Sequence, residues 1–102
     1  MNNVFSNKEI QLAKLCKIYN VEALSVFGSA TNSSFKNTSD IDLLVRFSND
    51  IALLNYANNY FDLLEELTLL FERKIDLVSE RSLKNPVFIK EVKKTQISLF
   101  EA

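Results

Sequence analysis

The amino-acid sequence predicts an α/β fold in which helices back one face of a small mixed sheet and leave the other face open. Three apolar runs rich in β-branched residues predict strands, and helical periodicity marks the segments around them. The chain has 102 residues, of which 47% are hydrophobic and 25% are charged. This length and composition suit one compact domain, and we expect it to span residues 1–102.

The elements follow in the order α-β-β-α-β-α, with turn signals between them. Ser6, followed three residues later by Glu9, has the pattern of a capping box and predicts the start of the first helix, which Ile10, Ala13 and Cys16 continue at helical spacing. Pro86 predicts the first turn of the last helix, and "ISLFEA" predicts a final strand or an extended tail. The remaining predicted elements are strands at 21–28, 40–48 and 74–80 and a long helix from 51 to about 72.

Composition excludes several classes of function. Twelve basic and 13 acidic residues give a net charge of -1, which argues against non-specific nucleic-acid binding. No apolar run approaches the roughly 20 residues of a membrane span. The single cysteine, Cys16, rules out an intramolecular disulfide and fits a reducing, cytoplasmic location, and we interpret it as a core residue. The absence of histidine removes His-based triads and His–metal sites.

Two acids occupy alternate positions of the second predicted strand. Because side chains alternate across a strand, Asp40 and Asp42 lie on one face, with Cα atoms about 6.6 to 7 Å apart, and Ile41 lies on the other. Two carboxylates on one face repel each other unless a cation lies between them. Hard oxygen ligands at this spacing suit Mg²⁺, which retains waters and substrate phosphates in its coordination shell.

Two further features belong with this acid pair. The only glycine, Gly28, precedes Ser29, and a glycine lets backbone N–H groups and a neighbouring hydroxyl approach a phosphate. Asp76 in "KIDLV" alternates with apolar neighbours, so it joins the acid pair if its strand lies beside theirs. Three carboxylates next to a phosphate cradle predict a two-metal phosphoryl-transfer site on the open face of the sheet.

This combination resembles the polymerase-beta-type nucleotidyltransferase superfamily. "GS", then ten residues, then "DID", and later "KIDLV" have the spacing of its signature, over roughly Val21 to Val78. The resemblance implies a polymerase-beta-like fold, ATP as substrate and two Mg²⁺ ions. It also implies that Gly28 and Ser29 hold the nucleotide's phosphates, and that Asp40, Asp42 and Asp76 are the metal ligands and catalytic residues.

The short chain resembles the minimal nucleotidyltransferase branch, the MntA-like antitoxins paired with HEPN-domain toxins. That resemblance implies transfer of AMP from ATP to a tyrosine hydroxyl of the toxin, which is thereby silenced. One departure is that many relatives carry basic residues and a second glycine just after Gly-Ser, where this chain has "ATNS". Lys36, Arg46 and Lys74 are the candidates to replace the missing positive charge.

Alternatives remain beside this interpretation. Asp40 as a turn or cap residue and Asp42 as an exposed strand residue would leave a binding-only antitoxin that occludes its toxin. Transfer to a small molecule is a third hypothesis, although the chain is short for a substrate pocket. The long helix has a wide apolar stripe, part of which could face a partner or a second copy of the chain.

Overall fold

The structure, a computed structural model, describes residues 5–31, 40–49, 51 and 53–102. Three helices and four strands follow one another along this part of the chain, and two short 3₁₀ turns lie at 28–31 and 80–82. In chain order the elements are α1 (Glu9–Ile18), β1 (Val21–Phe27), β2 (Ile41–Phe47), α2 (Leu53–Phe71), β3 (Ile75–Ser79), α3 (Pro86–Thr95) and β4 (Ile97–Glu101). The predicted order is confirmed, and "ISLFEA" contains a true strand.

The four strands form one mixed sheet in the order β3-β2-β1-β4. β1 pairs antiparallel with both β2 and β4, whereas β2 and β3 run parallel. The parallel pair needs a crossover, which α2 provides, because parallel strands cannot be joined by a tight turn. The end of β1 and the starts of β2 and β3 therefore meet at one edge of the sheet.

The main hydrophobic core lies on the face of the sheet that packs against α1 and α2. Ile41, Leu43 and Val45 on β2 are fully buried there, together with Leu63 and Leu67 from α2. Each buried branched side chain contributes about 1.5–3 kcal/mol relative to full exposure. The period-two alternation that predicted β2 is thus the alternation of its core-facing side chains.

α3 lies on the opposite face, so the expectation that helices cover one face only is incomplete. Val92 of α3 forms a second buried cluster with Leu44 and Phe27. Asn85 caps the helix by accepting hydrogen bonds from the N–H groups of Val87 and Phe88, and Pro86 occupies the first turn as predicted. α3 thereby covers part of the face on which the acids were predicted.

The start of α1 was predicted wrongly. The helix begins at Glu9, with Lys8 in the N-cap position and no side-chain cap, so Ser6 and Glu9 form no capping box. Asn7 has a φ of 65°, a left-handed conformation that breaks the helix between Ser6 and Lys8. Ile10, expected in the apolar stripe, faces solvent.

None of the helices within the described ranges combines the length and the hydrophobicity that crossing a bilayer would require.

Candidate active site

The strand register brings the predicted acids to one edge of the sheet. Asp42 of β2 lies directly opposite Asp76 of β3 in the parallel ladder, and opposite Phe27 of β1 in the antiparallel ladder. Asp76 is exposed between the buried side chains of Ile75 and Leu77, so it projects from the face that carries Asp42. The proximity of Asp42 and Asp76, expected only if β3 lay beside β2, is present.

The carboxyl of Asp42 is half-buried and surrounded by negative charge. Burial raises its pKa above the ordinary value, and the charges of Asp76 and then Asp40 raise this pKa further. A hydrogen bond between the carboxyls of Asp42 and Asp76 acts in the same direction. Burial, the neighbouring negative charges and the hydrogen bond all favour the protonated form of Asp42 over its carboxylate.

Gly28 follows β1 and lies against the carboxyl of Asp42. Its φ of 72° is in the left-handed region, which a glycine adopts without steric cost. A Cβ atom at this position would lie 2.6 Å from Oδ2 of Asp42, well inside van der Waals contact. The 3₁₀ turn from Gly28 to Thr31 is closed by the hydroxyl of Thr31, which donates to the carbonyl oxygen of Gly28 at 2.7 Å. Of Ser29 the structure describes the backbone, which lies in this turn.

Asp40 stands at the rim of the site and pairs with a lysine. Its Oδ2 lies 3.8 Å from Nζ of Lys74, and both side chains are largely exposed to solvent. A backbone hydrogen bond joins the same two segments of the chain, since the N–H of Ile41 donates to the carbonyl oxygen of Lys74 at 3.1 Å. Lys74 is thus paired with Asp40 and lies near the acids, and its proposed role in replacing the missing basic residues stays a prediction.

The other proposed substitutes for the missing basic residues do not reach this edge in the described part of the chain. Arg46 lies four residues beyond Asp42 on β2, about 13 Å away along the strand. Its guanidinium pairs with Glu22 at 3.4 Å and with Glu80 at 3.6 Å. Lys36 falls outside the described residues, as do Asn32 and Ser33.

The three acids have the chemistry of a divalent-cation site without its final arrangement. Within residues 5–31, 40–49, 51 and 53–102, no three His, Cys, Asp or Glu side chains converge closely enough to form a ready-made metal centre. Asp42 and Asp76 lie within hydrogen-bonding reach of each other, and Asp40 pairs with Lys74. Carboxylate oxygens are the ligands that Mg²⁺ prefers, so the donor set fits such an ion once these pairings open.

One neighbour of the site had no signal in the sequence. The hydroxyl of Thr95, at the end of α3, accepts a hydrogen bond from the N–H of Gly28 at 3.2 Å. The two residues are 67 positions apart, and a threonine in the last turn of a basic helix carries no motif. Their contact depends on α3 packing on the open face of the sheet, which local pattern does not predict.

Comparison with known proteins places this geometry in a family. The model of the family "Polymerase beta, Nucleotidyltransferase" matches residues 10–102. A protein from Methanocaldococcus jannaschii, provisionally named a protein adenylyltransferase, is 33% identical over 79 residues, which cover 78% of this chain and 76% of that protein.

Two solved structures extend the comparison. A structure described provisionally as a minimal nucleotidyltransferase superposes with a TM-score of 0.64 at 30% identity, covering 88% of this chain and 87% of its own. The Shewanella oneidensis complex of a tri-AMPylated HEPN toxin with its MNT antitoxin superposes with a TM-score of 0.62 at 21% identity, covering 93% of this chain and 71% of that one. At that identity the second likeness shows the fold.

Proposed function

Because the chain belongs to the polymerase beta nucleotidyltransferase family, we propose that it is a Mg²⁺-dependent protein adenylyltransferase that transfers AMP from ATP to a tyrosine hydroxyl of a HEPN-family toxin. It thereby acts as the antitoxin of a toxin–antitoxin pair in the cytoplasm. The observation that carries the proposal is the register that sets Asp42 opposite Asp76 and against Gly28.

Each residue of the site has a role in this reaction. Asp40, Asp42 and Asp76 would hold two Mg²⁺ ions, which when bound neutralise phosphate charge and orient the triphosphate. The Gly28–Ser29 turn holds the phosphates against the sheet edge. A carboxylate oxygen of Asp76 accepts the proton of the attacking hydroxyl. The acceptor oxygen bonds to the α-phosphorus, the bond from that phosphorus to the bridging oxygen breaks, and pyrophosphate leaves.

The electrostatics of Asp42 support this assignment. Its half-buried carboxyl has a pKa raised by burial and by the charges of Asp76 and Asp40, an arrangement that a compensating cation relieves. Such clustering destabilises a fold when no cation is present, so a purely structural role would not favour it. The relatives support the acceptor class, since one carries the name of a protein adenylyltransferase and another is complexed with an AMPylated HEPN toxin.

A binding-only antitoxin is the second candidate function. The turn after Gly28 contains no basic residue, Arg46 is committed to Glu22 and Glu80, and Lys74 pairs with Asp40. With little positive charge near the turn, a triphosphate would bind weakly. In this case the chain would silence its partner by covering it.

The experiment that separates the two functions measures the transfer of labelled AMP from ATP, in the presence of Mg²⁺, to a co-expressed HEPN-family protein from the adjacent reading frame. Wild type is compared with the Asp40→Ala/Asp42→Ala double variant. The matched control is Asp62→Ala/Glu65→Ala, which removes the same number of carboxylates from the exposed face of α2.

We expect label on the partner with wild type and with the α2 control, and a loss of at least about 100-fold in the double variant. The reasoning fails if no label appears while partner binding and neutralisation survive in all three proteins. That result would establish the binding-only function.

A further inference from the structure

Both backbone polar groups of Gly28 are bound by threonine hydroxyls. The Gly28 N–H donates to Oγ1 of Thr95 at 3.2 Å, and the Gly28 carbonyl accepts from Oγ1 of Thr31 at 2.7 Å. Thr95 in turn donates its hydroxyl proton to the carbonyl oxygen of Glu91 at 3.2 Å, which leaves the oxygen lone pairs to accept from Gly28. The glycine is therefore held in place from α3 as well as from within its own turn.

The position of the Thr95 hydroxyl is set by the packing of α3. Val92, one turn earlier, is buried against Leu44 and Phe27, the residue that precedes Gly28. The ring of Phe88 contacts the ring of Phe27 edge-on, with centroids 6.0 Å apart. These contacts fix α3 on β2 and on the end of β1, directly before Gly28, and so place Thr95 beside the turn.

The acids lie close to Gly28 on its other side. A Cβ atom at this position would lie 2.6 Å from Oδ2 of Asp42, so this close approach depends on the residue being glycine. The N–H of Gly28 points away from them, to Thr95. Because this N–H already donates to Thr95, a nucleotide phosphate would be bound by the groups that follow Gly28 in the turn.

We propose that Thr95 is a positioning residue for the nucleotide: its hydroxyl holds the Gly28 N–H and so aims the rest of the Gly28–Thr31 turn at the phosphates. The proposal rests on the proposed function, because it assumes that this turn binds a triphosphate. It gives α3 a role in nucleotide binding, although no sequence motif in this helix indicates such a role.

The test uses Thr95→Val, which keeps the side-chain shape and removes the acceptor. Thr95→Ser keeps the acceptor and serves as the rescue variant. Thr68→Val is the matched control, because Thr68 makes the same bond to the carbonyl of the residue four positions earlier, Leu64, at 2.7 Å on an exposed face of α2. Thr68 lies on α2, which packs on the opposite face of the sheet from α3, so this substitution changes that helix alone.

The readout exploits the fact that Gly28 is the only glycine in the chain. Cell-free synthesis with ¹⁵N-glycine gives a protein whose proton–nitrogen spectrum contains one peak, the Gly28 amide. Its hydrogen-exchange rate reports the bond to Thr95, and titration with α,β-methylene-ATP and Mg²⁺ reports nucleotide binding by this peak and by calorimetry. Thermal unfolding is recorded for every variant.

In Thr95→Val we expect at least tenfold faster exchange of the Gly28 amide and about two- to tenfold weaker nucleotide binding, the loss that one hydrogen bond predicts. Thr95→Ser should restore both, and Thr68→Val should change neither. Faster exchange with unchanged or tighter binding would overturn the proposal, and so would unchanged exchange. If wild type binds no nucleotide, the proposed function fails, and the exchange rate still decides whether Thr95 holds the turn.

Discussion

Replacing Gly28 with alanine should reduce the rate of AMP transfer far more than it reduces the stability of the fold. The backbone at Gly28 has a φ of 72°, where an L-residue costs about 1–2 kcal/mol. Alanine also restricts the unfolded chain, which returns about 0.4–1 kcal/mol. These two backbone effects alone give a net loss of unfolding free energy of about 1 kcal/mol, or a fall in Tm of about 4–8 °C for a domain of this size, and displacement of the Asp42 carboxyl adds to this loss.

The effect on activity should be much larger, because of what the new methyl group meets. Its Cβ would lie 2.6 Å from Oδ2 of Asp42, and the carboxyl is the more easily displaced partner. A shift of about 1 Å in a catalytic group can reduce turnover about 100-fold. We expect a loss of this order in AMP transfer, with a folded protein of nearly native circular dichroism.

Two control variants test whether the loss of activity comes from the contact with Asp42 or from backbone strain alone. Asn20→Ala places alanine at a φ of 61° at the opposite end of β1 from Gly28, so it should lower Tm and leave transfer unchanged. In an Asp42→Ala background the Gly28→Ala change should lower stability less, because the oxygen it would meet is gone. Transfer within about threefold of wild type in Gly28→Ala would refute the view that this close approach is needed for catalysis.

Two further predictions concern charge and burial. In EDTA, Asp42→Asn should unfold at a higher temperature than wild type, because it removes a half-buried charge repelled by Asp76 and Asp40. Adding Mg²⁺ should stabilise wild type and leave this variant unchanged, whereas an Asp62→Asn control should unfold like wild type both in EDTA and in Mg²⁺. Burial raises the pKa of the Cys16 thiol to about 12 from 9.0. As the pH rises, the thiol of the unfolded chain loses its proton before the thiol of the folded protein does. Between pH 9.0 and about 12, the unfolding free energy of wild type should therefore fall, relative to that of Cys16→Ala, by about 1.4 kcal/mol per pH unit. The unfolding free energies are measured by denaturant titration at several pH values. The same dependence on pH in both proteins would contradict a buried thiol with a raised pKa.

Much of the fold follows from local pattern in the sequence. The alternation of Ile41, Leu43 and Val45 with a second set of side chains that includes Asp42 and Arg46 predicts β2 and its core-facing side, since a strand repeats every two residues. The isolated glycine predicts a turn that other residues would not adopt, and Gly28 has a positive φ. Cys16, interpreted as a core residue, is fully buried.

Local pattern was less informative at the ends of elements and on helix surfaces. A capping box at Ser6 was wrong because Asn7 adopts a left-handed conformation, which depends on how the preceding segment, including buried Phe5, joins the core. Ile10 satisfies helical spacing yet faces solvent, because Leu12 and Cys16 take the core positions. Spacing defines a stripe, and only the surface that packs on it selects among neighbouring stripes.

The sequence by itself predicted the residues proposed to carry the chemistry, which are the acids two residues apart and the single glycine before them. The tertiary structure decided how they meet. It paired β2 with β3 so that Asp42 faces Asp76, set Lys74 against Asp40, and laid α3 on the open face so that Thr95 reaches Gly28. The physical reason is range, because periodicity and turn chemistry act over a few residues, whereas strand pairing and helix docking join positions far apart through burial of the shared core.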